Sequence, residues 1–529
     1  MHDPLKSINS RITPQAEPVP GRSDQVVNNA GGYGFAVNDW SRALRFLILG
    51  TDGGTYYVTE SDLTKDNAKV ILRLAETEGT KLVDLLVQVS EAGRAPRQNP
   101  ALFALAACTA SADVETRRAA FAAIPRVCRI GTHLFIFARY VEQFRGWGRG
   151  LRRAVGEWYT TKPVGDVAFQ AVKYRQREGW SHRDLLRLSH PETSDESRAN
   201  LLDWICRGHS DGKEFPAIVN GYELAQLATT PKEWSVLVDD YNLPWEALPD
   251  AAMNEQEVWE ALLPHTGITA LIRQLGRLSN IGLIAPLGGQ TNAIAAKLTD
   301  ENAIKRGRVH PLQVLTALAT YSQGHGFRGS NTWTTVPKIV EALNEAFYLS
   351  FGAVEPANKR TLIGLDVSGS MTMGTVCNSP LAPFQAEGAL AMVAMRTEPE
   401  VFPMAFSGGF QPCPLTASQQ LNDVLQTMGR FQYSRTDCAI PMVWATANKV
   451  PVDIFTIYTD NETWAGVQHP FQALRDYRQV MGIDARLAVV GMTSSGFTIA
   501  DPTDSGMLDV VGMDTATPNI INSFARGEV

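Results

Sequence analysis

Residues 361–371 read TLIGLDVSGSM: a short apolar run that ends on an aspartate and passes into Ser and Gly. Such a run, bounded by small loop residues, is what a strand buried on both faces looks like. Toward the C-terminus the same alternation repeats. A helix is predicted near 383–397, then VFPMAFS (401–407), helices near 417–429 and 437–449, VDIFTIYTD (452–460), a helix near 468–480, ARLAVVGM (485–492) and LDVVGM (508–513) with a closing helix. Strand and helix in alternation predict a doubly wound parallel-sheet domain, whose ligand site belongs at the carboxyl ends of the strands.

Toward the N-terminus the pattern changes at Lys359. Segments of helical period precede it, at 39–49, 66–92, 98–110, 113–127, 132–144, 149–160, 164–178, 182–189, 196–207 and onward to about 350. Their apolar stripes are rich in Ala and Leu, and short turns with Gly, Pro or Asp separate them, which predicts stacked helical pairs of the HEAT or armadillo kind. A Pro/Gly-rich stretch comes first. The expected organisation is an N-terminal arm (1–37), a helical-repeat body (38–358) and an α/β domain (359–529), a multidomain fold of α plus α/β.

Composition fits that division. A chain of 529 residues exceeds one ordinary core, and 44% hydrophobic with 19% charged residues describes a soluble globular protein. The first residues lack a basic segment followed by an apolar one, and no run approaches the roughly 20 apolar residues of a membrane span, so a cytoplasmic protein without membrane contact is expected. The six cysteines, at 108, 128, 206, 377, 413 and 438, form no C-x-x-C pair and have no clustered His. Neither a zinc site nor a disulfide framework is indicated.

The net charge of −7 is unevenly spread. From Thr361 onward there are 8 basic and 16 acidic residues, which leaves 40 and 39 of the total 48 and 55 for the first 360. Within 139–187, 11 basic residues face 5 acidic ones, a local net charge of +6. A basic patch therefore lies within an acidic chain.

Asp366, Ser368 and Ser370 follow the first strand as D-x-S-x-S, a compact loop of oxygen ligands suited to Mg²⁺ or Mn²⁺. The pattern resembles the metal-ion-dependent adhesion site of von Willebrand factor A domains, which adds a threonine from a later loop and an aspartate at the end of a further strand. Thr436 and Asp460 fit those roles. In that family the vacant coordination position accepts an acidic residue of a partner protein. Two departures bear on loop geometry: Ser434 stands where a glycine is usual, and Asn461-Glu462 follows Asp460 in place of glycine.

In GWSHRDLLRLSH, Ser181 is placed to cap a helix starting at His182, with Asp184 closing a reciprocal cap. Arg183, Arg187 and His190 then form an outer stripe, and His182 sits where free N–H groups favour phosphate. One helix earlier, Lys173 and Arg177 are expected on one face with Arg175 beside them. Arg139, Arg149, Arg152 and Arg153 extend the basic character to neighbouring helices. Trp147, Trp158 and Trp180 are candidates for base stacking, although tryptophan at helical spacing is more often core.

RFLILGTDGGTYY (45–57), GWGRGLRRAVGEWY (146–159) and AVKYRQREGWSHRDLLRLSHP (171–191), ahead of a domain with DVSGSM, resemble the Ro autoantigen family, whose body is called the TROVE domain. The resemblance extends from about residue 35 to the end. It implies a monomeric ring of helical repeats with Y RNA bound outside and the single-stranded 3′ end of misfolded or immature noncoding RNA inside. It places RNA contacts at Lys173, Arg175, Arg177, His182, Arg183 and Arg187, and implies a 3′-to-5′ exoribonuclease partner in RNA maturation, quality control or decay under stress. The other reading is a metal-dependent protein-interaction scaffold with incidental RNA binding. No H-E-x-x-H, Walker A loop or nucleophile motif points to an enzyme.

Overall fold

The computed structural model describes residues 12–50, 58, 60–209, 212–326, 331–376, 379–431 and 435–528. Residues 51–57, Cys377 and Ser434 lie outside them. Eleven strands occur among the described residues: β1 (Gln25–Val27), β2 (Tyr33–Ala36), β3 (Gln176–Arg177), β4 (Trp180–Ser181), β5 (Thr361–Asp366), β6 (Val401–Phe406), β7 (Phe410–Pro412), β8 (Ile454–Thr459), β9 (Arg486–Gly491), β10 (Phe497–Thr498) and β11 (Met507–Val511).

The body runs from the helix Asp39–Leu49 to the helix Pro337–Leu349. From Glu60 to Ser189, helices pack on their next-but-one neighbours. Glu60–Thr77 lies on Asn99–Ala110 and that on Gly131–Phe144, while Gly79–Ala92 lies on Val114–Val127, that on Arg149–Thr160, and that on His182–Ser189. Two layers of stacked helices result, the arrangement expected of HEAT-like pairs. The predicted helix 66–92 is two helices, broken at Glu78. Gly79 there is buried so tightly that a Cβ would meet the Thr116 side chain at 2.3 Å.

The two ends of the helical series meet. Gln313 Nε2 donates to Pro96 O at 3.0 Å, and His310 Nε2 lies 3.1 Å from Arg94 O. His310 Nδ1 accepts from Leu312 N, which leaves Nε2 as the protonated nitrogen that donates to Arg94.

The C-terminal sheet has the order β11-β9-β8-β5-β6-β7. All neighbours are parallel except β7, an antiparallel edge strand on β6. Side chains alternate across it. Ile363, Leu365, Ile454, Ala488 and Val490 join a core continuous with the body, whereas Leu362, Phe406, Phe455 and Val489 form a second core under the helices Ile440–Ala447 and Pro470–Met481.

The N-terminal segment does not extend away from the α/β domain. β1 pairs with β2, and β2 pairs with β10. Body and domain are further joined by Arg45, fully buried, which pairs with Asp509 and donates to Ser495 O and Phe497 O at 2.7 and 3.0 Å. Arg94 pairs with Asp514.

Candidate functional sites

β5 and β8 are adjacent and parallel, so Asp366 at the end of one and Asp460 just past the other reach the same edge of the sheet. The loop 366–370 is tightened locally: Ser368 N donates to Asp366 Oδ1 at 3.0 Å, and the hydroxyls of Ser368 and Ser370 lie 3.1 Å apart. The Ser370 hydroxyl also acts on the Asp460 side chain, countering part of the rise that burial imposes on it. The loop of Thr436 is tied to the one that follows β8, its carbonyl accepting from Trp464 N and Ala465 N at 3.1 and 3.0 Å. All five sequence-derived residues, Asp366, Ser368, Ser370, Thr436 and Asp460, are buried.

The electrostatics are those of acid without base. Burial, with the charge of Asp460 added, pushes the Asp366 carboxyl up to about 7, and burial raises Asp460 as well. Glu387, on the helix Pro383–Thr397, is fully buried with no side-chain partner among the described residues, and burial and Asp366 drive it well above the usual carboxylate range. A divalent cation would supply the missing positive charge, and two carboxylates with three hydroxyls form the hard, oxygen-only donor set that Mg²⁺ or Mn²⁺ takes. Among the described residues no group of three or more His, Cys, Asp or Glu is placed to hold a metal ion.

One departure from the A-domain pattern is absorbed by local geometry. Asn461 adopts φ +68°, the left-handed conformation that glycine favours and that Asn tolerates, and its Oδ1 accepts from Ile499 N at 3.1 Å. Glu462 N then donates to Asp460 Oδ1 at 3.0 Å.

The basic segment differs from expectation in two places. The helix predicted over 164–178 ends at Lys173; the chain turns through a tight hairpin, β3–β4, with Glu178 and Gly179 at φ +55° and +81°. Lys173 and Arg177 therefore do not share a helical face. Lys173 points at Glu246 (3.8 Å) and the ring of Phe169, Arg175 lies over the ring of Tyr222, and Arg177 is exposed on the hairpin beside Glu178.

The second correction is His182. It is 3% exposed, Nδ1 lies 2.8 Å from the Tyr159 hydroxyl, and the ring packs against Phe135 and Trp158. It is a core residue and not a phosphate contact; burial pushes it down to about 4. The cap around it is as expected, with Ser181 Oγ and the Asp184 side chain each bonding the other's backbone N–H. Arg183 and Arg187 are exposed on this helix, and Arg149, Arg152 and Arg153 are exposed on the helix Arg149–Thr160 packed against it. Arg153 pairs with Glu157 at 2.9 Å, and Arg139 with Glu178. Of the tryptophans, Trp158 is core and donates to Cys128 O at 2.6 Å, while Trp147 and Trp180 are half-buried with ring centres 5.5 Å apart.

The chain matches the TROVE domain model over residues 26–218 and 242–320 and the Ro60 vWA domain model over 360–525. The chain belongs to the RO60 family. It is 42% identical to the RNA-binding protein RO60 of Deinococcus radiodurans, with 100% of both chains covered, and 34% identical to that of Caenorhabditis elegans, covering 98% of this chain and 92% of the relative. Its fold matches the crystal structure of the Deinococcus radiodurans RO (RSR) protein with a TM-score of 0.69 at 41% identity, over 93% of this chain and 100% of that one.

Sequence reading overlooked several groups around the candidate metal site. Thr459 Oγ1 donates to Asp366 Oδ2 at 2.6 Å, and Ser407, just after β6, keeps a buried hydroxyl without a partner among the described residues. Glu387 carried a legible signal, a lone acid within the small apolar run AEGALAMVAM. In the basic region, Arg145 is half-buried, donates to Thr109 O, and lines an open groove of about 660 Å³ with Arg117 and Trp147.

Proposed function

We propose that this RO60-family chain is an RNA-binding protein. It holds structured small noncoding RNA of the Y type on the outer face of its body and takes the unpaired 3′ end of misfolded or immature RNA into the interior. Maturation, quality control or decay is then completed with a 3′-to-5′ exoribonuclease partner. The chain acts as a cytoplasmic, monomeric ring and performs no cleavage itself.

The observation that carries this reading is the contiguity of exposed guanidinium groups on two packed helices. Arg149, Arg152, Arg183 and Arg187 have no ion-pair partner among the described residues, so their charge is available to phosphates. A cavity of about 500 Å³ lined by Arg97, Arg273, Arg277, Gln313 and Thr316 borders Ser379 of the A domain and supports the interior site. The relatives' name, RNA-binding protein RO60, agrees. In the A domain, Asp366, Ser368, Ser370, Thr436 and Asp460 would hold Mg²⁺ or Mn²⁺. The domain's 16 acidic against 8 basic residues disfavour RNA and leave the ion for a carboxylate of a protein partner.

Salt-dependent RNA binding tests the reading. Replacing Arg149, Arg152, Arg183 and Arg187 together by Ala should reduce the magnitude of the slope of log K against log salt by about 0.7 to 0.9 for each phosphate left without its arginine. An unchanged slope would place the RNA elsewhere. Asp366→Ala should abolish ion uptake in calorimetry while RNA affinity stays nearly intact.

A further inference from the structure

The N-terminal segment is bonded to the two loops that deliver Thr436 and Asp460. Gln15 is fully buried, and its Nε2 donates to Asp437 Oδ1 at 2.7 Å and to Gln468 O at 2.8 Å. Its Oε1 accepts from Thr463 Oγ1, and that same hydroxyl accepts from Cys438 N at 3.1 Å. One glutamine thus reaches the residue after Thr436 and the third residue after Asp460.

A second set of bonds comes from the turn between β1 and β2. Asn28 Nδ2 donates to Thr463 O at 2.7 Å, while its Oδ1 accepts from Ala30 N and Gly32 N at 3.1 and 2.8 Å. Asn29 Nδ2 and Ala30 N donate to the two oxygens of Glu462 at 2.7 and 3.0 Å. Glu462 N, in turn, bonds Asp460 Oδ1. The fit admits no side chain at Gly32, whose Cβ would fall 1.9 Å from Thr463 O.

We infer that residues 12–36 are a positioning part of the metal site, with Gln15, Asn28 and Asn29 holding the Thr436 and Asp460 loops in register, so that ion affinity depends on the docked arm. This rests on the metal reading above. The two loops are already joined directly by Trp464 N and Ala465 N on Thr436 O and by Cys438 N on Thr463 Oγ1, and the arm adds a second set of bridges that fixes both loops to a common support. The bridging side chains are amides, which donate and accept at once and add no charge to a site already rich in carboxylate. Because coupling is reciprocal, an ion held at the site must strengthen arm docking by the same factor by which docking strengthens the ion.

The test uses the full-length chain and Mn²⁺ alone as probe. Calorimetry on Gln15→Ala and Asn28→Ala should give affinity weakened by roughly 5- to 150-fold, the usual span of coupling between sites. Hydrogen exchange of the unmutated protein should show slower exchange of the amides of Gln15, Ala30 and Gly32 when Mn²⁺ is added. That second measurement needs no variant to fold, and a merely structural arm would not respond to the ion. Failure of the unmutated chain to take up Mn²⁺ would sink the metal reading itself. Uptake by the unmutated chain with equal affinity in folded arm variants, or with arm exchange indifferent to the ion, would overturn the inference.

Discussion

At the scale of single residues, His182 shows how a correct local reading can assign the wrong role. Its position at the start of a capped helix was legible, because Ser181 and Asp184 form the reciprocal cap within four residues of sequence. Its burial was not, because Tyr159, Phe135 and Trp158 arrive from other helices. His182→Ala should therefore destabilise the fold by about 3 kcal/mol, as for loss of a large core side chain, and leave the salt slope for RNA unchanged. Denaturant melts and filter binding on the same variant check both halves. The acid response follows from the same burial. His133, His182 and His310 are each pushed down to about 4. Their folded values lie below the unfolded value near 6.5, so their contribution to stability is intact above that pH and lost as pH falls toward 4. Between pH 7 and 5 this loss is opposed by the buried carboxyls of Asp366 and Glu387, whose raised values add stability as pH falls. His310→Gln should therefore raise the Tm at pH 5 relative to that at pH 7, as thermal melts at the two pH values would show.

At the scale of elements, a turn into the hairpin β3–β4 stands where the last five residues of the expected helix, 174–178, were placed. The sequence KYRQREGW keeps helical charge spacing through Arg177, and the Glu-Gly turn is a weaker hairpin signal than Asn-Gly or Asp-Gly. What decides is backbone conformation: two consecutive residues at positive φ, with Gly179 free to adopt it and Glu178 held there by pairing on both sides. Gly179→Ala should cost roughly 1 to 2 kcal/mol, the penalty for the left-handed region in an L-residue. It should also weaken RNA binding if Arg177 meets a phosphate. Urea unfolding with a parallel RNA titration separates the two effects; a fully neutral substitution would count against the turn. By contrast, the strands of the A-domain sheet were legible. Each is an apolar run with its own boundaries, and β7 alone, three residues at an antiparallel edge, left no pattern to read.

At the scale of the whole molecule, sequence periodicity divided the chain near residue 359 but carried no sign of how the parts join. The joints pair residues more than 400 positions apart, Arg45 with Asp509 and Arg94 with Asp514, and no local pattern encodes such a pair. Arg45 is fully buried, so Arg45→Ala would leave Asp509 and two carbonyls short of donors, with an expected loss of about 3 to 5 kcal/mol. Since one core runs from the body into the sheet, calorimetry should show a single unfolding transition for the full chain. Two well-separated transitions would mean that the joint is weaker than its buried arginine suggests.

The pairing of β2 with β10, and of Gln15 with Thr463, also sets a clock on biosynthesis. Gln15 leaves the ribosome 448 residues ahead of its partner. At about 5 to 20 residues per second, the first strands wait roughly 20 to 90 seconds before the loop that receives them exists. During that interval β2 presents an unpaired edge, and a nascent chain so exposed is open to capture by a neighbouring polypeptide on the same message.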